Sequence, residues 1–296
     1  MPVDDKERGI LVPEWRKPEP ELEFTRDQRK RNMYARKNPL RVMPKDKCQS
    51  VHENPSTHSA VLRVHPDAVE VGTLMGSGGA AYLGFFGVFT LVFTILMLYG
   101  AYEFMRSIAF ISALCIFMAV PFFLSSMWMI RRSFFSPFDH PVLLNRKTGE
   151  VYVIPIKPLS FFRFWEKGVA GEVKRYLWGN VTARTYRRLD APGGTVARTE
   201  TVLQLLCSTS QQPSVVDEMV LLGSGGGWSD DYQVSLWEHI RRYMEEDGPP
   251  LQPGDKLRKI NLDKVPEFPP EVVAAAGGPP LSEAELAQWT QVAAAP

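Results

Sequence analysis

One apolar stretch, Ala80 to Ile130, constrains this chain more than any other feature. It runs apolar to Tyr102, breaks at Glu103-Phe104-Met105-Arg106-Ser107, and resumes from Ile108 to Ile130. Each half exceeds the roughly 20 apolar residues that a helix needs to cross a ~30 Å hydrocarbon core, and neither contains a formal charge. A five-residue polar break is short enough for a tight helix–helix connection. The pattern predicts a transmembrane α-helical hairpin with spans 80–102 and 108–130. A buried hairpin in a soluble core is the competing reading, but such helices rarely run this long without a charge.

Flanking charge sets the expected orientation. Arg131 and Arg132 follow the second span, then Arg146 and Lys147, while Arg26, Arg29, Lys30, Arg31, Arg36, Lys37, Arg41, Lys45 and Lys47 precede the first. Basic residues stay on the cytoplasmic side, so both termini are expected there, in a multi-pass membrane protein. Gly76, Ala80 and Gly84 recur every four residues as a small-residue packing face, and Pro121 should kink the second helix. Transporters place ionisable groups inside a span. None lies here, so anchoring is the better reading.

The hairpin leaves most of the 296 residues unexplained. Three scattered cysteines, Cys48, Cys115 and Cys207, make no Cys-x-x-Cys pair and fit a reducing compartment. A formal net charge of +1 argues against a general nucleic-acid binder. The start, Met1-Pro2-Val3-Asp4-Asp5-Lys6, shows no cleavable signal peptide, which leaves the first span as the targeting signal.

Residues 1–58 read as a basic, proline-rich and largely disordered region, with a short helix from Arg26 to Lys37 opened by Thr25 and Gln28. That helix is either solvated or laid on anionic lipid. A short strand, Ala60 to Val64, and a glycine-rich linker at Gly72, Gly76, Gly78 and Gly79 occupy 59–79. His52, His58 and His65 match no zinc spacing.

Residues 131–247 read as a β-rich cytoplasmic domain. Pro141–Asn145 and Glu150–Ile154 flank Arg146-Lys147-Thr148-Gly149, a hairpin whose loop needs positive φ at Gly149. An aromatic run, Phe161 to Trp165, follows. Further strands are expected within Tyr176–Tyr186, at Thr199–Cys207 and at Glu218–Leu222, with turns at Asp190–Gly194 and Gly223–Gly227. A helix at 230–247 opens on Ser229-Asp230-Asp231 and stops at Gly248-Pro249. Its apolar face is Tyr232, Leu236, Trp237, Ile240, Tyr243 and Met244, with Glu238, Arg241, Arg242 and Glu245 away from it. The fold class is therefore a membrane α-helical hairpin plus an α+β soluble domain, an antiparallel sheet or partial barrel capped by a C-terminal helix. That order looks like a pleckstrin-homology-type domain. Residues 248–296 read as a Pro/Ala-rich tail with a short helix at 283–292, opened by Ser282 and Glu285 and carrying Leu286 and Trp289.

His140 to Val153 and Leu236 to Pro249 together are similar to an uncharacterised proteobacterial family that joins a membrane hairpin to such a domain. The resemblance implies genes near type VI secretion effectors, hence an immunity or accessory role. It transfers no catalytic residue.

No reaction signature emerges. Gly223–Gly227 lacks the Gly-Lys-Ser/Thr ending of a phosphate loop. Neither a Gly-x-Ser-x-Gly elbow nor a His-Glu-x-x-His helix occurs. His239 beside Glu238 reads as a surface or half-buried histidine, and Trp165, Trp178 and Trp237 as core or rim aromatics. No enzyme, cofactor or metal is expected. Arg131, Arg132, Arg146 and Lys147 are the candidate lipid-headgroup contacts; positive-inside anchoring alone accounts for them equally well. Arg241, Arg242 and Trp289 are the candidate partner contacts. Beyond the bilayer itself, the expected partners are a protein effector or anionic lipid. The leading expectation is a non-enzymatic anchored binding protein. The alternative is a lipid-binding or membrane-organising module.

Overall fold

The strands on either side of the apolar hairpin pair with each other. In the computed structural model, which describes residues 5–17, 22–25, 38–73, 78–105, 108–134, 139–155, 171–190, 198–227, 229–260, 262 and 265–286, strand β4 (Ala68–Val71) precedes the hairpin and β5 (Val142–Asn145) follows it. They form an antiparallel pair, Val71 opposite Val142 and Ala68 opposite Asn145. The hairpin is thus an insertion between two neighbouring strands. Antiparallel helices suit that insertion, because they return the chain to where it left.

Helices α1 (Gly78–Phe104) and α2 (Ala109–Phe134) are long and apolar enough to cross a membrane, with mean hydropathy 2.0 over Gly84–Phe104 and 2.1 over α2. Large apolar side chains such as Phe85, Phe89, Ile95, Phe110 and Phe117 point outward. The contact between the helices uses small residues at seven-residue steps: Gly87, Thr94 and Ala101 on α1, and Ser112, Ala119, Ser126 and Ser133 on α2. The Ser126 hydroxyl donates to the Gly87 carbonyl at 2.7 Å and the Ser112 hydroxyl to Ala101 at 2.8 Å. A Cβ on Gly87 would meet Ile130 Cγ1 at 2.8 Å and its backbone nitrogen at 3.0 Å. Backbones that close, joined by small polar side chains, are the packing that a lipid environment favours. Of the expected Gly76-Ala80-Gly84 face, Gly76 lies outside the described residues and Gly84 does pack, against Ser133. α2 continues through Pro121.

Among the described residues, the strands of the remaining body form two five-stranded sheets. One has the order β3-β4-β5-β6-β7, with β3 Val61–Val64, β6 Glu150–Val153 and β7 Lys174–Leu177. The other has the order β1-β10-β9-β8-β2, with β1 Glu23–Phe24, β2 Arg41–Val42, β8 Val181–Asp190, β9 Arg198–Thr209 and β10 Gln212–Gly226. β1 runs parallel to β10, so this sheet is mixed. A short 3-10 turn, Trp178–Asn180, carries the chain from β7 to β8, and a bridge between Thr73 and Leu222 ties the sheets at the opposite corner. Inward residues alternate along the strands, among them Val69, Val142, Leu144, Val181, Leu203, Leu205 and Leu222, and form the main core. Helix α3 (Asp231–Glu245) packs on β8, β9 and β10 and adds Leu236, Trp237, Ile240 and Tyr243. Trp178 and Trp237 meet there with ring centroids 5.3 Å apart.

Three expectations need correction. Residues 1–58 were expected to be largely disordered, yet Ile10, Val12, Met43 and Val51 are buried in the main core and β2 pairs with β8. These apolar residues are spaced too irregularly to show a period, so only the finished sheet reveals their use. The helix 26–37 lies outside the described residues, as do the aromatic run 161–165 and most of the 190–194 turn.

The tail is packed rather than linker-like. Phe268 and Val272, the latter on α4 (Pro270–Ala275), cover Leu143, Tyr152 and Ile154 on the outer face of the first sheet. Leu286 reaches the main core, and Ser282 and Glu285 do form the capping box. Finally, Gly223–Gly226 is not a loop. β10 continues to Gly226 through a register shift, with Gly223 at φ +72°.

Candidate functional site

The two points where the chain leaves and re-enters the body are joined by a buried polar clamp. The Thr73 backbone N–H and hydroxyl both donate to Asp139 Oδ1 at 2.6 Å, and the His140 N–H donates to the same oxygen at 2.8 Å. Arg258, from the tail, donates through Nη1 to Asp139 Oδ2 at 2.8 Å and to the Thr73 carbonyl at 2.9 Å. Asp139 is wholly buried and Arg258 14% exposed. Gly72 makes room: a Cβ there would stand 2.6 Å from Arg258 Nη1 and 2.7 Å from Asp139 Oδ2. The Gly72 carbonyl accepts from Gly223 N–H at 2.9 Å, so this glycine is held, not part of a flexible linker. Burial pushes the Asp139 carboxyl up, while the Thr73 donors and Arg258 pull against it. Burial also holds the neighbouring His140 imidazole neutral, down at about 4.

Sheet register shows what lies beside this neck and what does not. Val71, Val142, Val153 and Lys174 stand at the hairpin end of the first sheet, while Ala68, Asn145, Glu150 and Leu177 stand at the far end. Arg131 and Arg132 close α2, and the Arg132 guanidinium sits 5.5 Å from the Trp128 ring centroid. Arg146 and Lys147 occupy the β5–β6 turn at the far end, ~10 Å of strand away. Arg146 lies 5.0 Å over the Tyr243 ring, and Lys147 pairs with Asp67 at 3.0 Å. The structure therefore does not bring the four expected headgroup contacts together. Charge near the span in sequence was the signal, and the strand between them separates the pairs.

Arg241 and Arg242 are engaged within the chain. Glu238 is fully buried and accepts from Arg241 Nη2 at 2.7 Å, Arg242 Nε at 2.6 Å, the Ser50 hydroxyl at 2.9 Å and Val51 N–H at 2.9 Å. Burial opposes its ionisation, but the Arg241 bond and the other donors outweigh that and hold it at about 2. Arg241 is 1% exposed and also donates to the Lys47 carbonyl at 3.0 Å. The Glu238–Arg241 side of α3 is thus covered by residues 47–51, which is why a surface reading of these two fails; His239 is buried as well, with Gln252 Nε2 at 3.1 Å from its Nδ1. Arg242 is half-buried, Tyr232 is exposed, and Trp289 lies outside the described residues.

A second buried node was not foreseen. Arg41 meets Asp230 at 2.9 Å and Asp5 at 2.8 Å and donates to the Val12 carbonyl, fixing the N-terminal segment to the start of α3. The three N-terminal histidines are structural contacts. His52 bonds Asp231 at 2.8 Å, His58 stacks on Tyr232, and His65 bonds Glu70 at 3.0 Å and the Gly278 carbonyl at 2.9 Å. No group of His, Cys, Asp and Glu among the described residues could hold a metal ion. A groove of about 600 Å³, lined in part by Val12, Pro13, Trp15, Val42 and Pro44, runs along the outer side of β2.

The family of unknown function DUF6708 matches residues 118–268. The chain belongs to that family. The DUF6708 match spans the second half of α2, two of the three clamp residues, Asp139 and Arg258, and α3; Thr73, β3, β4 and α1 fall outside it. No curated protein and no solved structure matches the chain.

Proposed function

We propose that this chain is a non-enzymatic binding protein anchored in the bacterial inner membrane, with both termini cytoplasmic. The observation that carries the reading is the insertion of the apolar hairpin between two paired strands, closed by the Asp139–Arg258–Thr73 clamp. Such a joint fixes a folded body at the surface of a bilayer, where a freely jointed linker would let it wander. The strand order β4 to β7, then β8 to β10, then α3, supports a pleckstrin-homology-like body with the hairpin placed after its first strand. This resemblance bears on shape and not on activity.

The partner we propose is a protein, a type VI secretion effector that the body neutralises or accompanies. Crosslinking in the native membrane, followed by identification of what copurifies, tests this. A single stoichiometric effector supports it. Cells that lose the gene without becoming sensitive to a neighbouring effector would refute the immunity role. The second reading is a module that binds anionic lipid, favoured by Arg131 and Arg132 at the close of α2.

A further inference from the structure

We infer that the segment beside the clamp, with Lys256, Lys259 and Leu262, is a docking surface for anionic lipid headgroups. The inference rests on the reading of the hairpin as a membrane anchor and names the ligand of that second reading. Three bonds fix the segment's position. Arg258 Nη1 is held on Thr73 and Asp139, and the Arg258 N–H donates to the Val61 carbonyl at 2.7 Å. Val61 opens β3 opposite Val71, so all three lie at the hairpin end of the first sheet. Gly78 and Phe134, the inner ends of the two spans, are each five residues from the clamp.

Lys256 and Lys259 are exposed, and Leu262, a large apolar side chain, is 37% exposed beside them. Asp255, at the start of this segment, accepts from the Thr57 N–H and hydroxyl, both at 2.7 Å. Asp139 is neutralised by Arg258. Among the described residues, neither Lys256 nor Lys259 is held in an ion pair, and both are exposed. Arg131 and Arg132 lie in the last turn of α2, which ends five residues before Asp139. Basic side chains with an interleaved apolar one are the composition that binds an anionic interface, with each lysine contributing on the order of fivefold. Arg146 and Lys147, at the far end, take no part.

The test is hydrogen exchange of the full chain in nanodiscs of phosphatidylcholine, with and without phosphatidylglycerol. Peptides from both helices should be protected in both lipids. The 254–260 peptide should exchange more slowly only with phosphatidylglycerol. That slowing should disappear in ~1 M salt, where the Debye length falls to ~3 Å. In K256Q/K259Q the docking equilibrium should weaken by on the order of fivefold per lysine, with α3 exchange unchanged as the check on folding. Protected helices with identical 254–260 exchange in the two lipids would overturn the docking surface and leave the anchor standing. Slowing that persists in salt or in the variant would overturn it as well. Helices that exchange freely in lipid would overturn the anchor, and the docking surface with it.

Discussion

Replacing Arg258 with Met isolates the clamp. The substitution keeps most of the side-chain volume and removes the guanidinium that bonds Asp139 Oδ2 at 2.8 Å and the Thr73 carbonyl at 2.9 Å. A charge pair at ~4 Å attracts by ~4 kcal/mol at an effective dielectric of ~20. Removing one partner of a buried pair costs about 3–5 kcal/mol, because the other charge stays behind unpaired. Asp139 has no exposed surface, but it keeps the two Thr73 donors and the His140 N–H. The lower end, about 3 kcal/mol, is therefore expected. For a chain of this size that lowers the melting midpoint by on the order of 10 °C.

The assay is thermal unfolding of the full chain in nanodiscs, with Arg16→Met as the exposed control. The cycle with Asp139→Asn isolates the pair: the double variant should be more stable than the two single losses predict, by about 1–3 kcal/mol. Gly72→Ala, which drives a methyl between the same two groups, should mimic the loss. A cost below about 1 kcal/mol for Arg258→Met, or strict additivity in the cycle, would refute the clamp as a stabilising element.

Acid should weaken the fold in two windows. His140 and His239 are held down at about 4 by burial. The unfolded chain binds their protons from pH ~6.5, so stability present above that value falls as the pH drops toward ~4, by up to on the order of 3 kcal/mol for each. Glu238, held at about 2, adds a further loss between pH ~4.5 and ~2. Urea midpoints measured across this range report both windows, and H140Q/H239Q should flatten the upper one. Arg241→Met should strip Glu238 of its main partner and release residues 47–51, raising proteolysis there; unchanged cleavage would count against that cover. Gly87→Ile should force α1 and α2 apart at Ile130, whereas Ser126→Ala should cost only about 1 kcal/mol. Electrophoretic mobility of the two variants in detergent separates the outcomes.

Local pattern carried much of the fold. The two apolar runs, the Arg146–Gly149 turn between β5 and β6, the alternating runs of β9 and β10, and the 3.6-residue face of α3 all lie within short windows, where periodicity and turn chemistry act alone. Gly149 adopts the positive φ (65°) that its loop required. The capping pair Ser282 and Glu285 was legible for the same reason.

What required the tertiary structure was every contact between distant segments. Thr73, Asp139 and Arg258 share no sequence signal, since a lone acid, a threonine and an arginine occur everywhere. They become a clamp because β4 and β5 pair across the inserted hairpin and the tail returns along β3. Arg241 looked like a solvated cation because its helix was read without the strap that buries it. Arg146 and Lys147 looked like neighbours of Arg131 because distance along the chain was taken for distance in space. Composition and periodicity alone determined that this chain holds an apolar hairpin and a β-rich body ending in a helix. Which charges face the hairpin, and which are spent inside, was decided by strand register, because burial of a polar group is set by what packs over it.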